Sequence, residues 1–202
     1  MCGIFCGKNQ ILHELYQLNS YRGNYSYSVF NQLSGIKKGL GKPDSELFDT
    51  GYYSVCHVQA PTTEISNSTS NIHPAVYNGM FLWHNGIIKD FEVARLQTKY
   101  NTTETWDTAL LLRELDSNDF LENLSDLNGS FACILVDGSD YFVFRNEISP
   151  LFYDTNLNIS SVKFPNSIPV PANNFFMLDF ELSELVDLDM KFETKENPYF
   201  FD

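Results

Sequence analysis

Basic residues are scarce in this chain. Lys and Arg number 13 against 26 Asp and Glu, a formal net charge of -13. That balance disfavours nucleic acid and anionic membrane as direct partners. It does not select a positively charged partner, because solubility alone accounts for acidity in many domains. No apolar run approaches the length of a membrane-spanning helix, and the first twenty residues lack the basic start, apolar middle and small-residue cleavage site of a signal peptide. A cytoplasmic location is therefore expected. Only four cysteines occur (Cys2, Cys6, Cys56, Cys133), without C-x-x-C spacing, so neither a zinc site nor a disulfide framework is indicated. No metal and no cofactor are expected. There is no internal repeat, low-complexity tract or linker, and the 202 residues read as a single domain.

What is present is enough for a sizeable core: 43% hydrophobic and 15% aromatic residues. In residues 8–19, Ile11, Leu12, Leu15 and Leu18 form one helical face. Tyr21-Arg22-Gly23-Asn24 has turn composition, and Tyr25 to Phe30 alternates like a strand. Tyr52 to Gln59 reads as a strand stopped by Pro61. Residues 75–84 predict one or two strands leading into an Asn85-Gly86 turn. Helices are predicted over Ile87 to Leu96 and, with Thr105 as N-cap, Trp106 to Leu115. A short amphipathic segment, Asp119 to Leu124, precedes a strand-rich second half: Ser130 to Asp137, a hairpin into Tyr141 to Arg145, then Pro150 to Tyr153, Asn158 to Phe164 and Phe175 to Phe180. Strands, then helices, then strands predict an α+β fold of packed sheets, not an alternating βαβ fold.

The opening Met1-Cys2-Gly3-Ile4-Phe5 carries the strongest chemical suggestion. Trimming of Met1 leaves a cysteine with both a thiol and a free α-amine, whose reference pKa is about 7.7–8.0. Such an amine is a workable base near neutrality, and a thiol beside a base is a workable nucleophile. Three polar stretches interrupt the strands elsewhere: Arg22-Gly23, Cys56 to Thr62, and His84-Asn85-Gly86. The Asn85 amide and the Gly86 backbone N–H are suited to a tetrahedral oxyanion. A Cys–His dyad using His57 or His84 is the competing enzyme reading, and packing histidines are the plainer one. Cys6, Cys56 and Cys133 read as inert core cysteines.

Met-Cys-Gly-Ile-Phe, Tyr21-Arg22-Gly23, His57-Val58-Gln59-Ala60-Pro61-Thr62, Asn85-Gly86, Trp106-Asp107-Thr108 and Gly129-Ser130-Phe131-Ala132 occur in the order and spacing of class II glutamine amidotransferases. Over roughly residues 1–155 the chain resembles the glutaminase domain of asparagine synthetases, amidophosphoribosyltransferases and glucosamine-6-phosphate synthases. The resemblance implies an N-terminal-nucleophile hydrolase fold, a four-layer αββα sandwich, and hydrolysis of the glutamine side-chain amide to glutamate and ammonia. It implies Cys2 as nucleophile, Arg22 and Gly23 lining it, and Asn85 with Gly86 as oxyanion hole. Gln59, Thr62 and Asp107 fall at substrate-binding positions, Asp107 receiving the α-ammonium of glutamine.

Three departures accompany the resemblance. The family has Arg, pairing with the glutamine α-carboxylate, where this chain has Gln59; a neutral amide lacks the charge and the bidentate fork. Ile87 follows Asn85-Gly86 where the asparagine synthetase branch has Glu. Arg145 to Tyr153 is shorter than the family's corresponding segment and lacks its Asp and Gly. The stretch after residue 155 is too short for an ATP-binding synthetase domain, so a separate acceptor-activating synthetase is the expected partner. The other readings are a catalytically silent binding or regulatory subunit, and an N-terminal-nucleophile amidase acting on another amide. Residues 181–202 lie beyond the resemblance. They alternate loosely and end in Asn197-Pro198-Tyr199-Phe200-Phe201-Asp202, which either completes the core or docks a partner.

Overall fold

In the computed structural model, residues 2–60 and 71–194 are described. In chain order they form β1 (Gly3–Gly7), α1 (Gln10–Asn19), β2 (Ser26–Asn31), β3 (Gly35–Leu40), β4 (Ser54–Gln59), β5 (Ala75–Tyr77), β6 (Met80–Ile88), α2 (Asp90–Tyr100), α3 (Asp107–Leu115), α4 (Phe120–Ser125), β7 (Gly129–Asp137), β8 (Asp140–Arg145), β9 (Phe152–Tyr153), β10 (Ile159–Ser160), β11 (Ile168–Pro169), β12 (Asn174–Asp179) and β13 (Glu184–Lys191). Single 3-10 turns at Ser20–Arg22 and Ser45–Phe48 complete the list of regular elements. Two compact units emerge, each assembled from three separated stretches. Of the described residues, one holds those within 1–74, 150–170 and 178–185, and the other those within 75–149, 171–177 and 186–194.

The first unit is built on a seven-stranded sheet in the order β11-β9-β10-β1-β4-β2-β3. β4 is central, pairing antiparallel with β1 (Phe5 opposite Cys56) and with β2 (Val29 opposite Cys56). Leu12 and Leu15, two positions of the apolar stripe of α1, pack with Phe5, Val29, Phe48, Cys56 and Val58 into one core cluster. Because side chains alternate along a strand, this assigns Phe5, Val29, Cys56 and Val58 to the helix-covered face. Ile4, Ser26, Ser28, His57 and Gln59 therefore stand on the opposite face. The β2–β3 hairpin is closed by Asn31, whose Oδ1 accepts from the backbone N–H of Leu33 (3.1 Å) and Ser34 (2.8 Å), an Asx-type turn.

The second unit carries a six-stranded sheet in the order β13-β12-β8-β7-β6-β5. Its core joins Met80, Leu82 and Ile88 of β6 and Phe131, Cys133 and Leu135 of β7 to Leu110, Leu111 and Leu112 of α3. The same alternation places His84 and Gly86 on the helix side of β6. Trp83, Asn85 and Ile87 stand on the other side.

Several expectations are corrected. Asn85-Gly86 is not a turn: both residues lie inside β6, paired with Ala132 and Phe131 of β7. The predicted helix over Ile87–Leu96 begins only at Asp90, because Ile87 and Ile88 still pair with Ser130 and Gly129. α3 starts at Asp107, with Trp106 and not Thr105 preceding it. The strand over Asn158–Phe164 is reduced to Ile159–Ser160. β3, β11 and β13 were not anticipated, although β13 occupies the loosely alternating stretch before the aromatic end. Thr62, Met1 and the aromatic end at 197–202 lie outside the described residues.

Candidate active site

Each unit carries one part of the expected set. In the first, Cys2 is buried at the head of β1. Its carbonyl oxygen accepts from Arg22 Nε at 2.7 Å. Ile4 is held at both backbone groups: its N–H donates to Ser161 Oγ (3.0 Å) and its carbonyl accepts from Ser161 N (2.8 Å). Behind Gly3 lies Asn19, whose Nδ2 donates to Leu15 O and Ser160 Oγ, both at 2.8 Å. A Cβ on Gly3 would come within 2.9 Å of Asn19 Oδ1. Arg22 and Ser161 thus hold the backbone on either side of Gly3, with Asn19 packed behind it.

Gly23 follows the Ser20–Arg22 turn with φ -171° and ψ 138°, an extended conformation open to any residue. Its glycine is required by space. A Cβ there would overlap the Gln59 carbonyl carbon and approach Ala60 N to 2.5 Å and Gln59 O to 2.7 Å. Gly23 and Gln59 are therefore brought together. The Gln59 side chain is buried, and its Oε1 lies 3.2 Å from Ser26 Oγ and 3.4 Å from His73 Nδ1. With the oxygen engaged by those two groups, the amide offers its NH₂ donors. His73 in turn packs against His57 in a tilted arrangement, with ring centroids 4.0 Å apart and an interplanar angle of 31°. Ser26 and His73 were not picked out from sequence. Ser26 had a legible signal in the alternation of β2, whereas nothing local marks His73 as a neighbour of Gln59.

In the second unit, Asn85 is buried on the face of β6 opposite the helices. Gly86, like Gly23, is a close-approach glycine: a Cβ would overlap the Ser130 carbonyl and lie 2.7 Å from His84 Nε2. Asp107 opens α3, where the helix dipole favours a negative charge. Its Oδ1 accepts from Thr108 N (2.7 Å) and its Oδ2 from Ile88 N (3.2 Å). A carboxylate has about four acceptor positions, so two backbone donors orient it without exhausting it. His84 is buried beside both groups and has specific partners: Nδ1 is 3.2 Å from Thr108 Oγ1 and 3.9 Å from Asp107 Oδ2, and Nε2 is 3.1 Å from Ser130 O.

The remaining thiols are chemically quiet. Burial raises the pKa values of Cys6, Cys56 and Cys133, the neighbouring Cys56 adding to the effect at Cys6 and Asp107 at Cys133. Among the described residues no group of three potential ligands is placed to hold a metal ion, and no helix is long and apolar enough to cross a membrane.

The model of a glutamine amidotransferase domain family matches residues 62–164, just over half of the chain. The chain belongs to that family. The matched span includes Asn85, Gly86 and Asp107 and begins after Cys2, Arg22, Gly23 and Gln59, so membership stands independently of the amino-terminal motif. Among solved structures, this amidotransferase domain is similar to an allosteric regulatory enzyme of purine biosynthesis (TM-score 0.71, 16% identity, covering 96% of this chain and 50% of that one). It is also similar to the glutamine phosphoribosylpyrophosphate amidotransferase of B. subtilis (TM-score 0.68, 18% identity, covering 96% and 50%). A class-II glutamine aminotransferase domain protein from Silicibacter pomeroyi matches with a TM-score of 0.55 at 10% identity, covering 94% and 99%. The chain spans about half the length of the first two. No curated protein matches it by sequence. At these identities the likeness speaks for the fold, which is the α+β N-terminal-nucleophile hydrolase fold expected from the motif order.

Proposed function

We propose that the protein is the glutaminase component of a class II amidotransferase, working through Cys2. The observation that carries the reading is the clamping of the backbone at the buried Cys2: Arg22 on the Cys2 carbonyl, and Ser161 on both backbone groups of Ile4. With Met1 removed, the Cys2 amine takes the thiol proton, directly or through one water, and the thiolate adds to the carbon of the glutamine side-chain amide. Asn85 and the Gly86 N–H stabilise the oxyanion, and Asp107 receives the α-ammonium. The C–N bond then breaks as the ammonium of Cys2 returns its proton to the leaving nitrogen. Ammonia departs, and water attacks the thioester to release glutamate and regenerate the thiol. The ammonia passes to a separate acceptor-activating synthetase, and the reaction belongs in the cytoplasm.

Gln59 favours a second reading, an amidase of the same mechanism acting on an amide without an α-carboxylate, since its neutral NH₂ group stands where the family places an Arg. The test is intact mass of the purified protein together with glutamine hydrolysis by wild type and Cys2→Ser. A mature chain beginning at Cys2, active only with the cysteine, supports the proposal. A chain that keeps Met1 and hydrolyses glutamine at full rate overturns it.

A further inference from the structure

His84 is a buried titratable group that the proposed mechanism leaves without a task, and the chemistry of its partners dictates its proton. Nε2 lies 3.1 Å from the Ser130 carbonyl, which only accepts, so Nε2 carries the hydrogen. A neutral imidazole has one N–H; Nδ1 is then an acceptor, and the 3.2 Å contact is the Thr108 hydroxyl donating to it. That hydroxyl has a second acceptor within reach, Asp107 Oδ1 at 3.3 Å, but only one hydrogen to give. When the imidazole takes it, the carboxylate keeps just its two backbone donors. The other end of the ring meets the close-approach glycine: Nε2 occupies space that a Cβ on Gly86 would invade, and it binds the same Ser130 carbonyl that crowds Gly86.

We infer that His84 is a positioning residue that divides its two nitrogens between the two parts of glutamine recognition. Nε2 holds the Ser130–Gly86 crossing that sets the oxyanion donors, and Nδ1 draws the Thr108 hydroxyl away from Asp107, leaving that carboxylate open to the α-ammonium. The inference rests on the proposed glutaminase reading. It differs from a Cys–His dyad, because it gives His84 no proton to take from the Cys2 thiol.

Asn and Gln substitutions separate the two nitrogens, the shorter amide reaching the Nδ1 position and the longer one the Nε2 position. His84→Gln keeps a donor for Ser130 and loses the acceptor for Thr108. The hydroxyl then turns to Asp107, and KM for glutamine rises about tenfold, as for one weakened bond to a charged group, with kcat nearly unchanged. Thr108→Val in that background removes the competing hydroxyl and restores KM. His84→Asn keeps the Thr108 contact, loses the Ser130 donor, and lowers kcat about tenfold at nearly constant KM. The inference is overturned if the two variants share one kinetic pattern, or if Thr108→Val fails to restore KM. Nitrogen-15 NMR of wild-type His84 requires neither variant nor substrate: the Nε2–H tautomer is expected, and the Nδ1–H tautomer overturns the assignment. Absence of glutamine hydrolysis by the wild type removes the glutaminase reading and the kinetic role with it, whereas a failed tautomer leaves that reading intact.

Discussion

Gly23→Ala tests whether space alone demands glycine beside the candidate nucleophile segment. Alanine tolerates the backbone of residue 23, at φ -171° and ψ 138°, so no conformational strain enters. The atoms nearest the added methyl are all backbone: the Gln59 carbonyl carbon, Ala60 N at 2.5 Å and Gln59 O at 2.7 Å. Unlike the tip of a flexible side chain, these atoms move only with the end of β4. Overpacking of this kind costs about 1–3 kcal/mol. Displacing Gln59 also disturbs the Tyr25 N–H bond to the Gln59 carbonyl (2.9 Å), worth about 1 kcal/mol. The sum, about 2–4 kcal/mol, lowers Tm by roughly 5–15 °C for a chain of this size. Thermal unfolding by circular dichroism reads it directly, with glutamine KM measured in parallel because Gln59 moves with the strand. The control is Gly41→Ala, where φ is +80° and nothing lies within 4 Å; its cost of about 1 kcal/mol is backbone strain and leaves KM unchanged. A Gly23→Ala protein with Tm within about 1 °C of wild type would refute the steric argument.

Four further outcomes are expected. Asn85→Ala should lower kcat by about 10²–10³ as one lost oxyanion donor, while Asp107→Asn raises KM; identical kinetic patterns would void the division of roles. Gln59→Arg should tighten glutamine binding by up to about tenfold. Its stability should fall, because Ser26 and His73 lose their shared acceptor; unchanged KM with good turnover of an amide lacking the α-carboxylate would support the amidase reading. Iodoacetamide on the native protein should modify Cys2 alone, since burial keeps the Cys6, Cys56 and Cys133 thiols protonated, and a mass shift at any of these three in peptide mapping would contradict that. Lys99→Met should destabilise by about 2–4 kcal/mol by urea unfolding, less than for a fully buried pair because Lys99 is partly exposed. It leaves the buried Glu114 carboxylate without the ammonium now 2.8 Å away; a loss under about 0.5 kcal/mol would show that the pair is idle.

Much of this protein is local, and so was legible in the chain. The stripe Leu12-Leu15 needs only helical periodicity, and the apolar run Ser130–Asp137 needs only a strand covered on both faces. The candidate residues Cys2, Arg22, Gly23, Asn85, Gly86 and Asp107 were accessible because their order and spacing form a pattern along one dimension. What escaped depends on partners distant in sequence. Asn-Gly is a turn by local propensity, yet β7 pairing keeps Asn85 and Gly86 in a strand, and the approach of the Ser130 carbonyl explains the glycine better than any turn. Ile87 and Ile88 have helical spacing, but β7 extends the ladder through them. β3, with Lys37 and Lys38, is a charged edge strand whose polarity hides it. The contacts that specify the candidate site arise the same way: His73 reaches Gln59, and Ser161 reaches Ile4, through tertiary structure alone. The sequence by itself determined most of the helices and strands and the chemical groups they carry, because periodicity and residue type are local properties. Tertiary structure decided which glycines are steric necessities and which polar groups share a proton, because those depend on atoms brought within about 3 Å from elsewhere in the chain.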